Sequence, residues 1–181
     1  MDISAPPAAS AEPSPAEPRL PQVGEPAPDF ALRDADGTIH RLSDQRGRFT
    51  VVYFYPKDDT PGCTIEACGF RDANAAIAAV GITVWGISPQ GAASKAAFRA
   101  KYDLGFPLLA DEDHAVAEAY GSWVERESYG KRFMGIARRT FLVGPDGTIA
   151  HVWPKVKPEG HAEDVLATVG RIEAARQTPA S

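Results

Sequence analysis

Cys63 and Cys68, the only two cysteines, stand five residues apart in the segment Tyr55-Pro56-Lys57-Asp58-Asp59-Thr60-Pro61-Gly62-Cys63-Thr64-Ile65-Glu66-Ala67-Cys68. A bridge between them would close almost no loop, so it cannot staple a chain of 181 residues. The pair is chemistry, metal or accident. Thr60 followed by Pro61 reads as a helix N-cap and first helical residue, because proline lacks only an N–H that would be unpaired there anyway. Cys63 then falls in the first turn, at an exposed helix start where free N–H groups and the positive end of the helix dipole both favour a thiolate. A thiol with a pKa of about 8.5 is already a few per cent ionised at pH 7, so full ionisation gains only about thirty-fold in nucleophile. Catalysis needs more, which calls for a cation aimed at developing charge. Arg138 and Arg139, at the start of a strand through Thr140, Phe141, Leu142 and Val143, are the candidates. In an ideal helix the Cα atoms of residues five apart lie roughly 8 to 9 Å apart, whereas a disulfide wants less than about 7 Å. Pairing of Cys63 with Cys68 therefore requires the helix to unwind locally.

The elements that must position these residues follow from the hydrophobic pattern. Phe49 to Tyr55 is a continuous apolar, β-branched and aromatic run, the mark of a strand buried on both faces. Helical spacing of Ile65, Phe70, Ala73, Ala76 and Ile77 predicts a helix from Pro61 to Val80. A strand from Ile82 to Ser88, a helix over 92–102, a short strand over 106–111 and a short helix over 115–121 continue a βαβα alternation. Two strands flank the turn Pro145-Asp146-Gly147, and a last helix runs from Pro158 to Arg176 with Val165, Leu166, Val169 and Ile172 on one side. Upstream, DFALRDADGTIHRL forms two alternating runs around Asp36-Gly37, a hairpin signal. The Cys63 segment thus lies where a buried parallel strand ends and a helix begins, the usual ligand position in open α/β sheets. The fold class expected is α/β: a thioredoxin-like fold, a central mixed sheet flanked by helices with an added N-terminal β-hairpin.

The length and a hydrophobic share of 44% suit one domain. Of 16 prolines, eight precede Asp29 amid Ala, Ser and Glu, which predicts a flexible tail over 1–19, a folded domain over 20–176 and a short C-terminal tail over 177–181. A net charge of -5 without a basic run argues against nucleic acid. Apolar stretches far short of the roughly 20 residues of a membrane span argue against a membrane role. The first residues lack a basic n-region and an apolar h-region, which predicts no secretory signal and a cytoplasmic protein.

The segment YFYPKDDTPGCTIEACGFRD, from Tyr53 to Asp72, resembles the active-site stretch of the peroxiredoxins, specifically the bacterioferritin-comigratory-protein or peroxiredoxin Q subgroup. GISPQ, KYDLGFPLLADEDHAVAEAYG, YGKRFMGIARRTFLVGPDG and the closing helix extend the resemblance over roughly 21–176. The resemblance implies a thiol-dependent peroxidase acting on hydrogen peroxide and organic hydroperoxides. In it Cys63 is the peroxidatic cysteine, Thr60 a hydroxyl that hydrogen-bonds peroxide or thiolate, and Pro56 a shield over the pocket. Arg138, in preference to Arg139, is the pocket arginine. Cys68 is the resolving cysteine, forming an intramolecular disulfide that thioredoxin or a similar dithiol reduces. It also implies a monomer without a cofactor. A thiol–disulfide oxidoreductase of the same fold would normally carry C-x-x-C instead of C-x-x-x-x-C, and a redox-sensing binding protein would switch without turnover.

The remaining chemistry-bearing residues have plainer readings. His40, His114, His151 and His161 are scattered without ligand spacing, and two cysteines are too few for a closed zinc site, so no metal is expected. Lys57, Asp58 and Asp59 read as solvated loop residues on the rim, and Glu66 as a cap for the helix start. Trp85, Trp123 and Trp153 read as core or rim, and Tyr129, Phe133 and Met134 as core packing in preference to a lining of the peroxide pocket.

Overall fold

The structure, a computed structural model, describes residues 18–177. Residues 1–17 of the expected N-terminal tail and 178–181 of the C-terminal one lie outside the described residues; Gln177 still belongs to the last helix.

The chain begins with a hairpin, β1 (Ala31–Arg33) and β2 (Ile39–Arg41), around the turn that Asp34 caps through the Asp36 and Thr38 N–H groups. Then follow β3 (Thr50–Phe54), α1 (Pro61–Asp72), α2 (Asn74–Ala79), β4 (Thr83–Ser88), α3 (Ala92–Tyr102), β5 (Leu108–Ala110) and α4 (Ala115–Ala119). The chain continues with β6 (Trp123–Ser128), β7 (Lys131–Ile136), β8 (Arg139–Val143), β9 (Ile149–Trp153) and α5 (His161–Gln177). Seven strands form one mixed sheet in the order β2-β1-β5-β4-β3-β8-β9, while β6 and β7 pair only with each other. β3, β4 and β5 run parallel, joined by crossovers through α1–α2 and through α3. β8 lies antiparallel on the other side of β3, and β9 closes the edge.

All five residues of β3 are buried, as a strand covered on both faces requires. Alternate side chains feed two cores. Val51, Tyr53 and Tyr55 pack with Cys63, Ala67 and Phe70 of α1, Phe98 of α3, and Ala162, Val165 and Val169 of α5. Val52 and Phe54 pack on the opposite face with Trp85, Ala117, Tyr120 and Phe141. Trp85 and Trp153 are buried, and Trp123 is half-buried with its indole stacked on His114. Among the described residues, no helix is long and apolar enough to cross a membrane.

Three departures from the expected elements have local causes. The helix expected from Pro61 to Val80 breaks at Ala73, whose backbone (φ -87°, ψ 0°) sits between the polar Asp72 and Asn74. Such residues compete with helical hydrogen bonding, and the apolar period does not register the bend. The last helix starts at His161 instead of Pro158, because Gly160 takes φ +75° just before it. The ribbon β6–β7 turns at Tyr129 and Gly130, both with positive φ (52° and 75°), which is the backbone of a tight hairpin turn. Most of its residues are exposed on both faces, so it shows no apolar alternation. Tyr129, Phe133 and Met134, expected in the core, are exposed on this ribbon.

Candidate active site

The turn from β3 into α1 brings the first cysteine to the carboxyl end of the parallel strands. Thr60 occupies the N-cap position in extended backbone (φ -93°, ψ 156°) and Pro61 is the first helical residue. The Thr60 side chain does not cap the helix. Its hydroxyl donates to the Lys57 carbonyl at 3.0 Å, and since a carbonyl only accepts, the hydroxyl's remaining capacity is as an acceptor. Pro56 is half-buried in the same turn, and its carbonyl accepts from the Gln90 amide at 3.5 Å.

Cys63 is 1% exposed, not at an exposed helix start as expected. A small buried hydrophobe would meet only apolar neighbours. Here Nη2 of Arg138 lies 3.3 Å from the Cys63 Sγ, while Nη1 of the same guanidinium binds Glu66 Oε1 at 3.1 Å. One arginine thus joins the sulfur to a buried carboxylate, the planar fork that distinguishes arginine from lysine. Burial disfavours the Arg138 charge, but Glu66 and then Cys63 outweigh that and hold it firmly protonated. Burial pushes Glu66 up to about 7 against the pull of Arg138. Glu66 is therefore a partner of the arginine and not a helix cap; its second oxygen, Oε2, has no hydrogen-bond partner among the described residues.

Strand alternation separates the two arginines. Arg139 pairs across from Phe54 in the β3–β8 ladder, so it shares Phe54's face, and Arg138 emerges on the face of Cys63. Gly62 makes the approach of Arg138 possible: a Cβ there would lie 3.0 Å from Nη2. Beneath the site, His161 Nε2 meets Thr140 Oγ1 at 2.8 Å, and burial drives this imidazole down to about 4, so it is neutral.

Both cysteines are free thiols; Cys68 is half-buried further along the same unbroken helix. Near it, Arg71 donates to the Tyr102 carbonyl at 2.8 Å and ties that half of α1 to the end of α3. Lys57 and Asp59 are exposed, as expected of a rim, but Asp58 is buried in a cluster with Tyr55, Ser88, Ser94 and Lys95. Only its neighbours in space reveal this, since Lys95 lies 37 residues away. No group of three or more His, Cys, Asp or Glu side chains among the described residues is arranged to hold a metal.

Residues 23–152 match the model of the AhpC/TSA family, and the chain belongs to that family. Peroxiredoxin Bcp of Bacillus subtilis is 41% identical over 148 residues, 82% of this chain and 94% of that protein. Peroxiredoxin Bcp of Escherichia coli is 43% identical over 145 residues, 80% of this chain and 93% of its own. Among solved structures, a cysteine-to-serine variant of PrxQ from Xylella fastidiosa superposes with a TM-score of 0.81 at 33% identity, covering 86% of this chain and 99% of that one. The bacterioferritin comigratory protein of Xanthomonas campestris, described for its alkyl peroxide reduction activity, superposes at 0.78 with 36% identity, covering 83% and 99%. The fold is thioredoxin-like, and the chain falls with the Bcp or peroxiredoxin Q group, whose chemistry is that of a thiol peroxidase.

Proposed function

We propose that Cys63 is the peroxidatic thiol and Cys68 the resolving thiol of a single-chain catalytic cycle that takes hydrogen peroxide or an alkyl hydroperoxide as substrate. The observation that carries this reading is the 3.3 Å approach of Arg138 Nη2 to the Cys63 Sγ at the first turn of α1. A guanidinium there stabilises the thiolate and faces the region where charge develops on the departing oxygen. The Cys63 sulfur attacks one oxygen of ROOH: the S–O bond forms as the O–O bond breaks, and the departing RO⁻ takes up a proton to leave as water or alcohol. Thr60, with its own hydrogen given to Lys57, accepts from the substrate's O–H and orients it, and Pro56 shields the pocket.

The resulting Cys63 sulfenic acid condenses with the Cys68 thiol, releasing water and forming a disulfide. In an intact helix these Cα atoms stand roughly 8 to 9 Å apart, so α1 unwinds to bring them together. A dithiol protein, thioredoxin by family resemblance, then reduces the bridge through a mixed disulfide. The cycle needs no second subunit and suits a monomer in the cytoplasm, where such reductants are maintained. Peroxide consumption coupled to thioredoxin and its reductase tests the reading. Wild type turns over, Cys63→Ser does not, and Cys68→Ser loses thioredoxin-dependent turnover; sustained turnover by Cys63→Ser would refute it.

A further inference from the structure

The turn 55–60, which carries Pro56 and Thr60, is held from one side. The Asp58 carboxylate accepts from the Tyr55 hydroxyl at 2.5 Å, from Ser94 at 2.8 Å and from Ser88 at 3.3 Å. It also faces Lys95 Nζ at 3.3 Å, and the Asp58 N–H donates to Gln90 Oε1 at 3.1 Å. Lys95, fully buried, completes its own bonds with Ser88 Oγ at 2.5 Å and Tyr55 OH at 3.2 Å. The next residue, Asp59, adopts a left-handed backbone (φ 59°), and its carboxylate binds Lys101 and Tyr102, each at 2.9 Å. Every one of these side-chain anchors outside the turn lies on α3, at the end of β4 or in the short loop that joins them. Only then does the chain enter Thr60, Pro61 and the first turn of α1.

A buried ion pair is a poor source of stability, because neutral or apolar replacements often hold a fold as well or better. Its place under this turn suggests a different use. We propose that Lys95 and Asp58 are a positioning pair for the attack step, fixing the 56–60 turn so that the Thr60 hydroxyl and the Pro56 shield stay in register with the Cys63 sulfur. This rests on Cys63 being the attacking thiol. The pair also keeps the turn electrically balanced. The charged or titratable groups around Cys63 are Glu66 on α1, Arg138 before β8, Tyr53 on β3 and Lys95 on α3, with the neutral His161 of α5 behind Arg138. Loss of Lys95 alone would leave Asp58 as an uncompensated negative charge beside this set.

Two electrophiles separate positioning from simple integrity of the fold. Iodoacetamide needs the Cys63 thiolate and access to it, whereas a hydroperoxide also needs Thr60 and Pro56 in place. To report on Cys63 alone, both rates are measured in a Cys68→Ser background as single turnovers. Asp58→Asn and Lys95→Met should each slow attack on hydroperoxide by about 10- to 100-fold, while alkylation at its high-pH plateau stays close to wild type. The pH profile of alkylation should move upward in Lys95→Met and return in Asp58→Asn/Lys95→Met, where no charge is left unpaired. The double variant should be no slower toward peroxide than the slower single variant, because the two residues act as one unit. Should Lys95→Met fail to fold, Ser94→Ala removes one anchor of Asp58 from a half-buried position and should slow the peroxide reaction alone. Equal losses toward both electrophiles, wild-type peroxide rates in the single variants, or effects that multiply in the double variant would each overturn the pair's role. Cys63→Ser that still reduces peroxide would instead overturn the reading beneath it.

Discussion

Two buried charged clusters flank the start of α1, and they are finished differently. In the Lys95–Asp58 cluster both Asp58 oxygens are bonded, and the Lys95 ammonium reaches Asp58, Ser88 and Tyr55. In the Arg138–Glu66–Cys63 cluster Glu66 Oε2 has no hydrogen-bond partner among the described residues, and the guanidinium is shared between a carboxylate and a sulfur. A saturated network holds one geometry, whereas an incomplete one retains capacity for an incoming group. The first fits a frame and the second fits the place where bonds change. The same contrast divides α1, whose first turn meets Arg138 through the Cys63 sulfur and whose later half is tied to α3 through Arg71.

The largest effect should come from the reacting side itself. Cys63→Ser should reduce peroxide turnover to the level of buffer, measured by peroxide loss with excess dithiol. Arg138→Met keeps the sulfur but removes its cation, and should slow the single-turnover reaction with hydroperoxide by about 100- to 1,000-fold. Gly62→Ala leaves every charge in place and only pushes on Arg138, whose Nη2 would lie 3.0 Å from the new Cβ. A displacement of that kind should cost about tenfold in the same assay. If it matched the loss in Arg138→Met, Gly62 would be serving the helix and not the arginine.

The smallest expected effect is on stability. Glu66 is raised by burial from its ordinary value of 4.5 to about 7, so the folded state holds its proton more tightly than the unfolded state. Its favourable contribution is complete below about pH 4.5 and is lost as pH rises through about 7. Glu66→Gln removes that slope, so wild type should lose up to about 3 kcal/mol more than Glu66→Gln between pH 5 and pH 8 in urea unfolding. His161, driven down to about 4, acts in the opposite sense, losing stability as pH falls from about 6.5 to 4. The difference between wild type and Glu66→Gln cancels it.

Much of this arrangement is legible in the sequence because it follows from short-range rules. An apolar β-branched run, a Thr-Pro start and a cysteine in the next turn place a sulfur at the end of a buried strand. The need for a cation then selects Arg138 and Arg139; the family resemblance favours Arg138, and only the β3–β8 pairing shows that the two lie on opposite faces. What is not legible depends on tertiary contact. Asp58 looks like a rim residue between Lys57 and Asp59 until Lys95 is brought under it by the β4–α3 connection. Glu66 looks like a cap until the chain before β8 delivers Arg138 to it. The β6–β7 ribbon carries no apolar face, so the pattern that reveals buried strands is absent there, and its signal is the turn at Tyr129-Gly130. The burial of Cys63 likewise comes from α5 and Arg138 closing over a helix start that local sequence leaves open.

The most direct test of the account is the intact mass and oligomeric state of the protein after one equivalent of hydroperoxide, read for wild type and for Cys68→Ser. Wild type should emerge as a monomer lighter by two hydrogen atoms, with a Cys63–Cys68 bridge found by peptide mapping, while Cys68→Ser should gain one oxygen on Cys63. A wild-type product with both thiols intact, or one joined by a disulfide between two chains, would contradict it.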